Sequence, residues 1–305
     1  MPELPEVETV RIGLSKLLPG KVVADVWHDW AKGFPNAPAD VARFFLKAKI
    51  IAVRRRAKVL IIDLSSDYSL VIHLKMTGQL VFAGGAGKHQ QRTKNKEQKT
   101  RFGGGHPTNS LVGDLPDRST RVVIDFTDGS KLFFNDQRKF GWMRLLPTVQ
   151  VPEIDFFKKV GPEPLDDNFT VAVFIERLLT RSKSMIKAAL LDQTVLAGVG
   201  NIYADEALWA AKIHPASRVA GIPRTKLVAL YSDLRSVLQL AIEKGGSTDR
   251  NYVNARGQKG SYLGFAQVFR KEGQPCPRCG TPIEKIRVAG RGTHICPKCQ
   301  KPPKR

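Results

Sequence analysis

The chain's only cysteines, Cys276, Cys279, Cys296 and Cys299, fall within its last thirty residues in the spacing C-x2-C-x16-C-x2-C. Two thiolate pairs so spaced suit one tetrahedral zinc ion. Each pair sits in a Cys-Pro-basic-Cys knuckle, and the intervening IEKIRVAGRGTHI reads as a hairpin turning at Gly290-Arg291-Gly292. Four thiolates leave no coordination position for water, so the ion folds the module rather than performing chemistry. Two redox CxxC pairs are the alternative, but the βαβ setting they need is missing.

Other stretches could meet an anion. In LAGVGNIYADEAL a helix ends in a glycine turn and the next begins at Asn201. Its first N–H groups lack partners, and Gly198 and Gly200 permit close backbone approach. This is a phosphate clamp or a plain helical hairpin capped by Asn201. KIIAVRRRAKVLIIDL sets Arg54, Arg56 and Lys58 on one strand face by the period-2 rule, as a stripe for a DNA backbone or as a solvated face. In LVIHLKMTGQL, Thr77-Gly78 marks a strand end, so Met76 sits at a loop tip as an apolar wedge, unless it is a core methionine. The opening MPELPEVETV puts two prolines and two carboxylates where most chains keep an idle, frayed end.

The elements that position these residues read as follows. Val7, Val10, Leu14, Leu17 and Leu18 recur at helical spacing, giving a helix over 5–18 with Pro5 in its first turn and Pro19-Gly20 as its stop. KVVADVWHDW, KIIAVRRRA, VLIIDL, LVIHLKM, TRVVIDF and KLFFND are short β-rich runs separated by turns. They make an N-terminal β-sandwich over 1–148. Within it, 84–113 carries net charge +5 and hardly an aliphatic residue, and is expected to be a flexible basic insertion. Helical patterns fill 149–246, a Gly-rich connecting loop spans 247–266, and the zinc module occupies 267–305 with net charge +8. The class is α+β and multidomain.

The whole chain of 305 residues carries 49 Lys and Arg against 28 Asp and Glu, a net charge of +21, which attracts polyanions and above all nucleic acid. No apolar run approaches the roughly 18 residues of a spanning helix, and the start has no signal pattern, so a soluble intracellular protein is expected.

Taken in order, MPELPEVETV, HLKMTG, NDQRKFGW, VGPEPL, AGVGNIYADEALWAAKIHP and the four-cysteine finger resemble the formamidopyrimidine-DNA glycosylases, bacterial repair enzymes that excise oxidised purines. The resemblance implies a bifunctional glycosylase and AP lyase acting on damaged double-stranded DNA, a monomer of the bacterial cytoplasm associated with the nucleoid. It implies that removal of Met1 frees the secondary amine of Pro2 as nucleophile. With an α-amino pKa near 8, a useful fraction of that amine is neutral at pH 7. Glu3 would shuttle protons and Glu6 would orient the site. Lys58 resembles a lysine that contacts the lesion phosphate and assists elimination, and His73 a backbone-contacting histidine. Asn201 and Arg291 resemble clamps of the helix-two-turn-helix and the zinc hairpin, with Arg291 near the chemistry. Lys187 resembles a lysine that handles oxidised purines. Met76, Arg138 and Phe140 resemble a trio that fills the void left by a flipped base, Arg138 bonding the orphaned cytosine. The loop from Ser247 to Tyr262 would cover the everted base.

The family's usual HLGMSG is here HLKMTG, DPRRFG is DQRKFG, and VYGR is VFRK. These departures bear on void filling and opposite-base preference, not on Pro2, Glu3, Lys58 or the zinc ligands. Within the same chemistry, the alternative is an endonuclease-VIII-like specificity for oxidised pyrimidines. Those relatives begin PEGPE and lack the Met and Arg-x-Phe set. Outside it, the alternative is a non-catalytic zinc-ribbon DNA-binding protein.

Overall fold

The computed structural model describes residues 1–84, 101–106, 109–111, 113–247 and 262–303. They form two units, one of Met1–Lys158 with 245–247, the other of Lys159–Lys244 with the residues from Tyr262 onward.

In the first unit, strands β1 (Val23–His28), β7 (Thr120–Phe126), β8 (Lys131–Asp136), β5 (Gly78–Ala83) and β6 (Arg101–Gly105) make a five-stranded antiparallel sheet in the order β1-β7-β8-β5-β6. A second sheet has the order β2 (Ile50–Arg56), β3 (Val59–Leu64), β4 (Tyr68–His73) and β9 (Trp142–Pro147). Alternate residues of the two sheets meet in one core: Leu60, Ile62, Leu70 and Ile72 from one, Leu80, Phe82, Ile124, Leu132 and Phe134 from the other. The expected sandwich is therefore present. β3 reads as an unbroken apolar run because its other face, Val59 and Ile61, is covered by Val151 in the segment after β9. That cover is why 149–158, expected to begin the helical part, belongs to the sandwich unit.

Helix α1 (Leu4–Leu14) starts one residue before the expected 5–18 and gives way after Leu14 to tight turns. Leu4, Val7, Val10 and Leu14 are buried at helical spacing. Gly13 lets α1 lie directly on β6, since a Cβ there would stand 2.0 Å from Phe102 Cζ. The stretch expected as a flexible insertion from 84 to 113 is thus structured where described. Phe102 buries its ring in the sandwich core, and the Arg101 side chain donates to the carbonyls of Ser110 (3.0 Å) and Gly113 (2.7 Å). The basic residues between 85 and 100 lie outside the described residues.

The second unit packs α2 (Val171–Leu179), α3 (Ile186–Leu191), α4 (Asn201–Ala210) and α5 (Arg224–Glu243) around one apolar core, in which α5 sets Leu227, Leu230, Leu234, Leu238 and Ala241. Thr170 caps α2 through Oγ1, which accepts the Val173 N–H at 3.3 Å. The hairpin of β10 (Glu284–Val288) and β11 (Arg291–Ile295) carries the cysteine knuckles and shares this unit rather than standing apart at 267. Arg278 shows why: its guanidinium lies 4.0 Å from the Trp209 ring centroid and donates to the carbonyls of Trp209 and Ala210 at the end of α4.

Candidate active site

Pro2 is buried at the mouth of α1, and Glu3, only 4% exposed, is the helix N-cap. The Glu3 N–H donates to Glu6 Oε2 at 2.7 Å, one arm of a capping box. The other Glu6 oxygen accepts the Ser247 N–H at 2.6 Å. Glu6 therefore joins the first residues of the chain to the start of the connecting loop, whose residues 248–261, the expected lesion cover, lie outside the described residues.

Lys58 does not continue the β2 face with Arg54 and Arg56 as the period-2 rule expected. β2 ends at Arg56, and Ala57 turns left-handed (φ 53°), which places Lys58 in a two-residue turn, 5% exposed. Arg54 is held in a bidentate pair with Asp63 (2.6 and 2.9 Å). Two residues that sequence reasoning missed tie this turn to α1. Arg55 donates to Glu8 at 2.8 Å and to the Ala57 carbonyl at 2.9 Å. Although burial opposes ionisation of Glu8, Arg11 and Arg55 hold its carboxyl below the usual range. His73 ends β4, and its Nδ1 accepts the Lys75 N–H at 2.9 Å, which leaves the ring proton on Nε2. Burial, with Lys75 and Lys58 adding positive charge, pushes His73 down to about 3, so it is a neutral N–H donor at pH 7.

Met76 (40% exposed) on the β4–β5 turn and Phe140 (49%) on the β8–β9 turn flank Arg138. The Arg138 guanidinium stands 4.7 Å from the Phe140 ring centroid, and its Nη1 donates to Met76 Sδ at 3.3 Å. The three side chains form one exposed cluster. Lys75 (φ 49°), where the family has glycine, and Lys139 (φ 55°), where it has arginine, are both left-handed, as is Arg270 (φ 57°), the other residue in a glycine position. An L-residue there costs on the order of 1 kcal/mol.

In the second unit, Lys187, which the resemblance gives as a lysine that handles oxidised purines, is fully buried. Its ammonium donates to Asp205 Oδ1 (2.6 Å), Thr293 Oγ1 (2.7 Å) and the Gly292 carbonyl (3.2 Å). A buried ammonium with these acceptors is a pin between α3, α4 and β11. Lys187→Met is expected to destabilise this unit by about 3–5 kcal/mol, because it strands the Asp205 charge. The urea midpoint measures this, and a loss under about 1 kcal/mol would rule the pin out. Asp205 and its neighbour Glu206 were both missed. Glu206 accepts the N–H groups of Gln267, Val268 and Phe269 at 2.8–3.0 Å, while burial lifts its pKa. Two acids side by side in an otherwise apolar helix were the available signal.

Asn201 opens α4, but Gly200 is the N-cap. The Asn201 amide does not cap its own helix and instead donates to the Gly292 carbonyl at 3.1 Å. The hairpin turns at Ala289 (φ 47°) and Gly290 (φ 75°), not at Gly290-Arg291-Gly292: Val288 pairs with Arg291, and both residues between them are left-handed, as a type I′ loop requires. Arg291 is consequently the first residue of β11, exposed beside the tip.

The Sγ atoms of Cys276, Cys279, Cys296 and Cys299 lie within 4.8 Å of one another, with Cys279 3.4 Å from Cys296 and 3.5 Å from Cys299. A zinc ion with sulfur ligands at about 2.3 Å needs sulfurs roughly 3.8 Å apart, so the four fit it. Hydrogen bonds from Thr281 hold the Cys279 thiol down to about 6 and burial pushes Cys296 up to about 12. A bound dication would make all four thiolates.

Residues 1–143 match the model of the formamidopyrimidine-DNA glycosylase N-terminal domain, 160–252 that of the H2TH domain of the same enzymes, and 273–302 that of the zinc finger found in FPG and IleRS. A formamidopyrimidine-DNA glycosylase of Pediococcus pentosaceus is 40% identical over 98% of this chain and 99% of its own length. Wild-type Lactococcus lactis Fpg, solved with DNA containing N7-benzyl-Fapy-dG, superposes with a TM-score of 0.82 at 34% identity, covering 99% of this chain and 100% of that one. The same protein solved with oxidised-pyrimidine DNA gives 0.81 over the same coverage and identity. The finger match and the four clustered thiols establish one structural zinc ion.

Proposed function

Because the chain belongs to the formamidopyrimidine-DNA glycosylase family, we propose that it excises oxidised purines, 8-oxoguanine and formamidopyrimidines, from duplex DNA through a covalent bond to Pro2. It is a DNA glycosylase and AP lyase of base excision repair. With Met1 removed, the Pro2 nitrogen lone pair attacks C1′, and the bond from C1′ to the base breaks, the base leaving with the electron pair. Buried Glu3 takes the proton shed by the attacking Pro2 nitrogen and delivers it to the sugar ring oxygen as the ring opens. The secondary amine yields a cationic iminium, which takes up the electrons of the C2′–H bond while the proton passes to water, and the resulting enamine expels the 3′ phosphate. A second elimination releases the 5′ phosphate, and water then frees Pro2.

Lys58, His73, Asn201 and Arg291 serve the phosphates, Lys58 and Arg291 nearest the chemistry, and Glu6 holds the chain end against the connecting loop. Lys187 contributes through the hairpin it pins. Among the described residues no helix is long and apolar enough to cross a membrane. The setting proposed is a monomer on nucleoid DNA in a bacterial cytoplasm.

The observation that carries the purine reading is the exposed Met76–Arg138–Phe140 wedge, whose apolar faces replace lost stacking while its guanidinium bonds an orphaned cytosine. Borohydride trapping on duplexes bearing 8-oxoguanine or thymine glycol tests it, with the 8-oxoguanine adduct expected to form faster. Preference for thymine glycol would establish the endonuclease-VIII-like alternative, which the relative solved with oxidised-pyrimidine DNA keeps in play. No nicking even at a preformed abasic site would leave only a DNA-binding role.

A further inference from the structure

Asp136, the last residue of β8, is fully buried, yet it is not among the residues expected to meet DNA. Its carboxylate accepts four donors from two separate turns. Oδ1 takes the Thr77 hydroxyl and, at 3.2 Å, the Arg138 N–H. Oδ2 takes the Phe140 N–H at 2.9 Å and the Gly141 N–H at 2.7 Å. The Thr77 hydroxyl oxygen also accepts the Arg138 N–H, at 3.0 Å. Met76 directly precedes Thr77, so this one carboxylate fixes the backbone beneath all three side chains of the wedge.

The local sequence is built for that grip. A Cβ on Gly141 would stand 2.7 Å from Phe134 Cζ and 3.1 Å from Asp136 Oδ2, so only glycine brings its N–H so close. A Cβ on Gly78, next to Thr77, would stand 2.3 Å from the Leu74 carbonyl oxygen. Lys139 adopts φ 55°, which lets consecutive N–H groups on either side of it converge on one acceptor. A solvent-exposed wedge on two unrelated turns would otherwise sample many arrangements, and ordering it on DNA would cost conformational entropy.

We propose that Asp136, with Thr77 as its link to the β4–β5 turn, is the positioning residue that sets opposite-base specificity by holding Met76, Arg138 and Phe140 in register before DNA arrives. The inference rests on the reading that this wedge enters the duplex. Asp136 touches no DNA itself and acts through the backbone of the residues that do.

Substitution separates the two arms of the grip. In Asp136→Asn the amide oxygen can serve only one pair of donors. Keeping it on Phe140 and Gly141 turns the NH2 group toward Thr77 and Arg138, where the hydroxyl can rotate to accept but the Arg138 N–H loses its carboxylate. The Arg138 arm therefore loosens first. The measurement is the ratio of kcat/KM for 8-oxoguanine opposite cytosine to that opposite adenine. Asp136→Asn is expected to lower this ratio at least tenfold. Thr77→Val, which removes the hydroxyl, is expected to lower it severalfold, and Thr77→Ser, which keeps it, to restore the wild-type ratio.

A purely structural aspartate would lower the thermal midpoint and the activity on both duplexes alike, with the ratio unmoved, and that result would overturn the proposal. Should Asp136→Asn fail to fold, the Thr77→Val and Thr77→Ser pair carries the same test. Trapping of the wild-type protein on a preformed abasic duplex checks the parent reading separately. Its absence would defeat the glycosylase mechanism, whereas wild-type trapping with an unmoved ratio in the variants defeats only the role of Asp136.

Discussion

Extending the chain by one lysine between Met1 and Pro2, so that the leader is retained, is expected to lower borohydride trapping and strand nicking by about 10³-fold or more, equivalent to roughly 4 kcal/mol in the barrier. The added residue turns the Pro2 nitrogen into an amide, whose lone pair is delocalised into the carbonyl and no longer attacks carbon. The proposed chemistry needs a fixed chain end, and α1 holds that end as part of a packed element. Val7, Val10 and Leu14 are sunk in the sandwich core, and Glu6 binds the Glu3 N–H on one side and the Ser247 N–H on the other. Affinity for a duplex carrying a stable abasic analogue, measured in parallel, separates lost chemistry from lost binding. Undiminished trapping by a chain whose intact mass shows the leader still present would remove Pro2 from the mechanism.

Stripping zinc with a chelator is expected to have the second largest effect. Zinc at a four-thiolate site supplies about 10–16 kcal/mol of apparent binding free energy, most of it folding energy for the module that holds it. The hairpin carries Arg291 at its tip, offers the Gly292 carbonyl to Asn201 and Lys187, and bonds its His294 N–H to Asp205 at 3.0 Å. Its collapse would uncouple these groups together. Duplex affinity should fall at least tenfold and recover when zinc is restored. Trp209 reports the local event, since its ring is buried with Cys276 and Cys296 and stacked under Arg278. Its fluorescence should change in step with zinc release and remain silent in Trp209→Phe. Unchanged affinity in the metal-free protein would mean that the hairpin does not meet DNA.

The comparison of sequence with structure turns on how far apart the determinants lie. Zinc ligation was legible because both knuckles are local motifs and the ligand set is uniform. The sandwich was legible because its strands are short β-rich runs bounded by turns, as in β5 and β8. Where a local rule was pushed past its range, it failed. Period two carried the basic face through to Lys58, but the left-handed Ala57 ends the strand. The glycine pair suggested a turn centred on Arg291, but register places the turn at Ala289 and Gly290. β6 was hidden because its burial rests on one residue, Phe102, meeting a glycine on α1.

The sequence by itself determined the charge that draws in a polyanion, the metal centre, the sandwich and the order of the motifs that identify the chemistry. Tertiary structure decided which charged side chains are surface and which are internal fastenings. Lys187 is fully buried and bonded to Asp205 and Thr293, and Asp136 is wrapped by two turns, whereas Arg54 stays at the surface in its pair with Asp63. The reason is physical. Periodicity and ligand spacing depend on neighbours along the chain, whereas the partner of a buried charge is chosen by chain closure between distant segments. Among charged residues a sequence shows the charge but not the partner that makes burial tolerable.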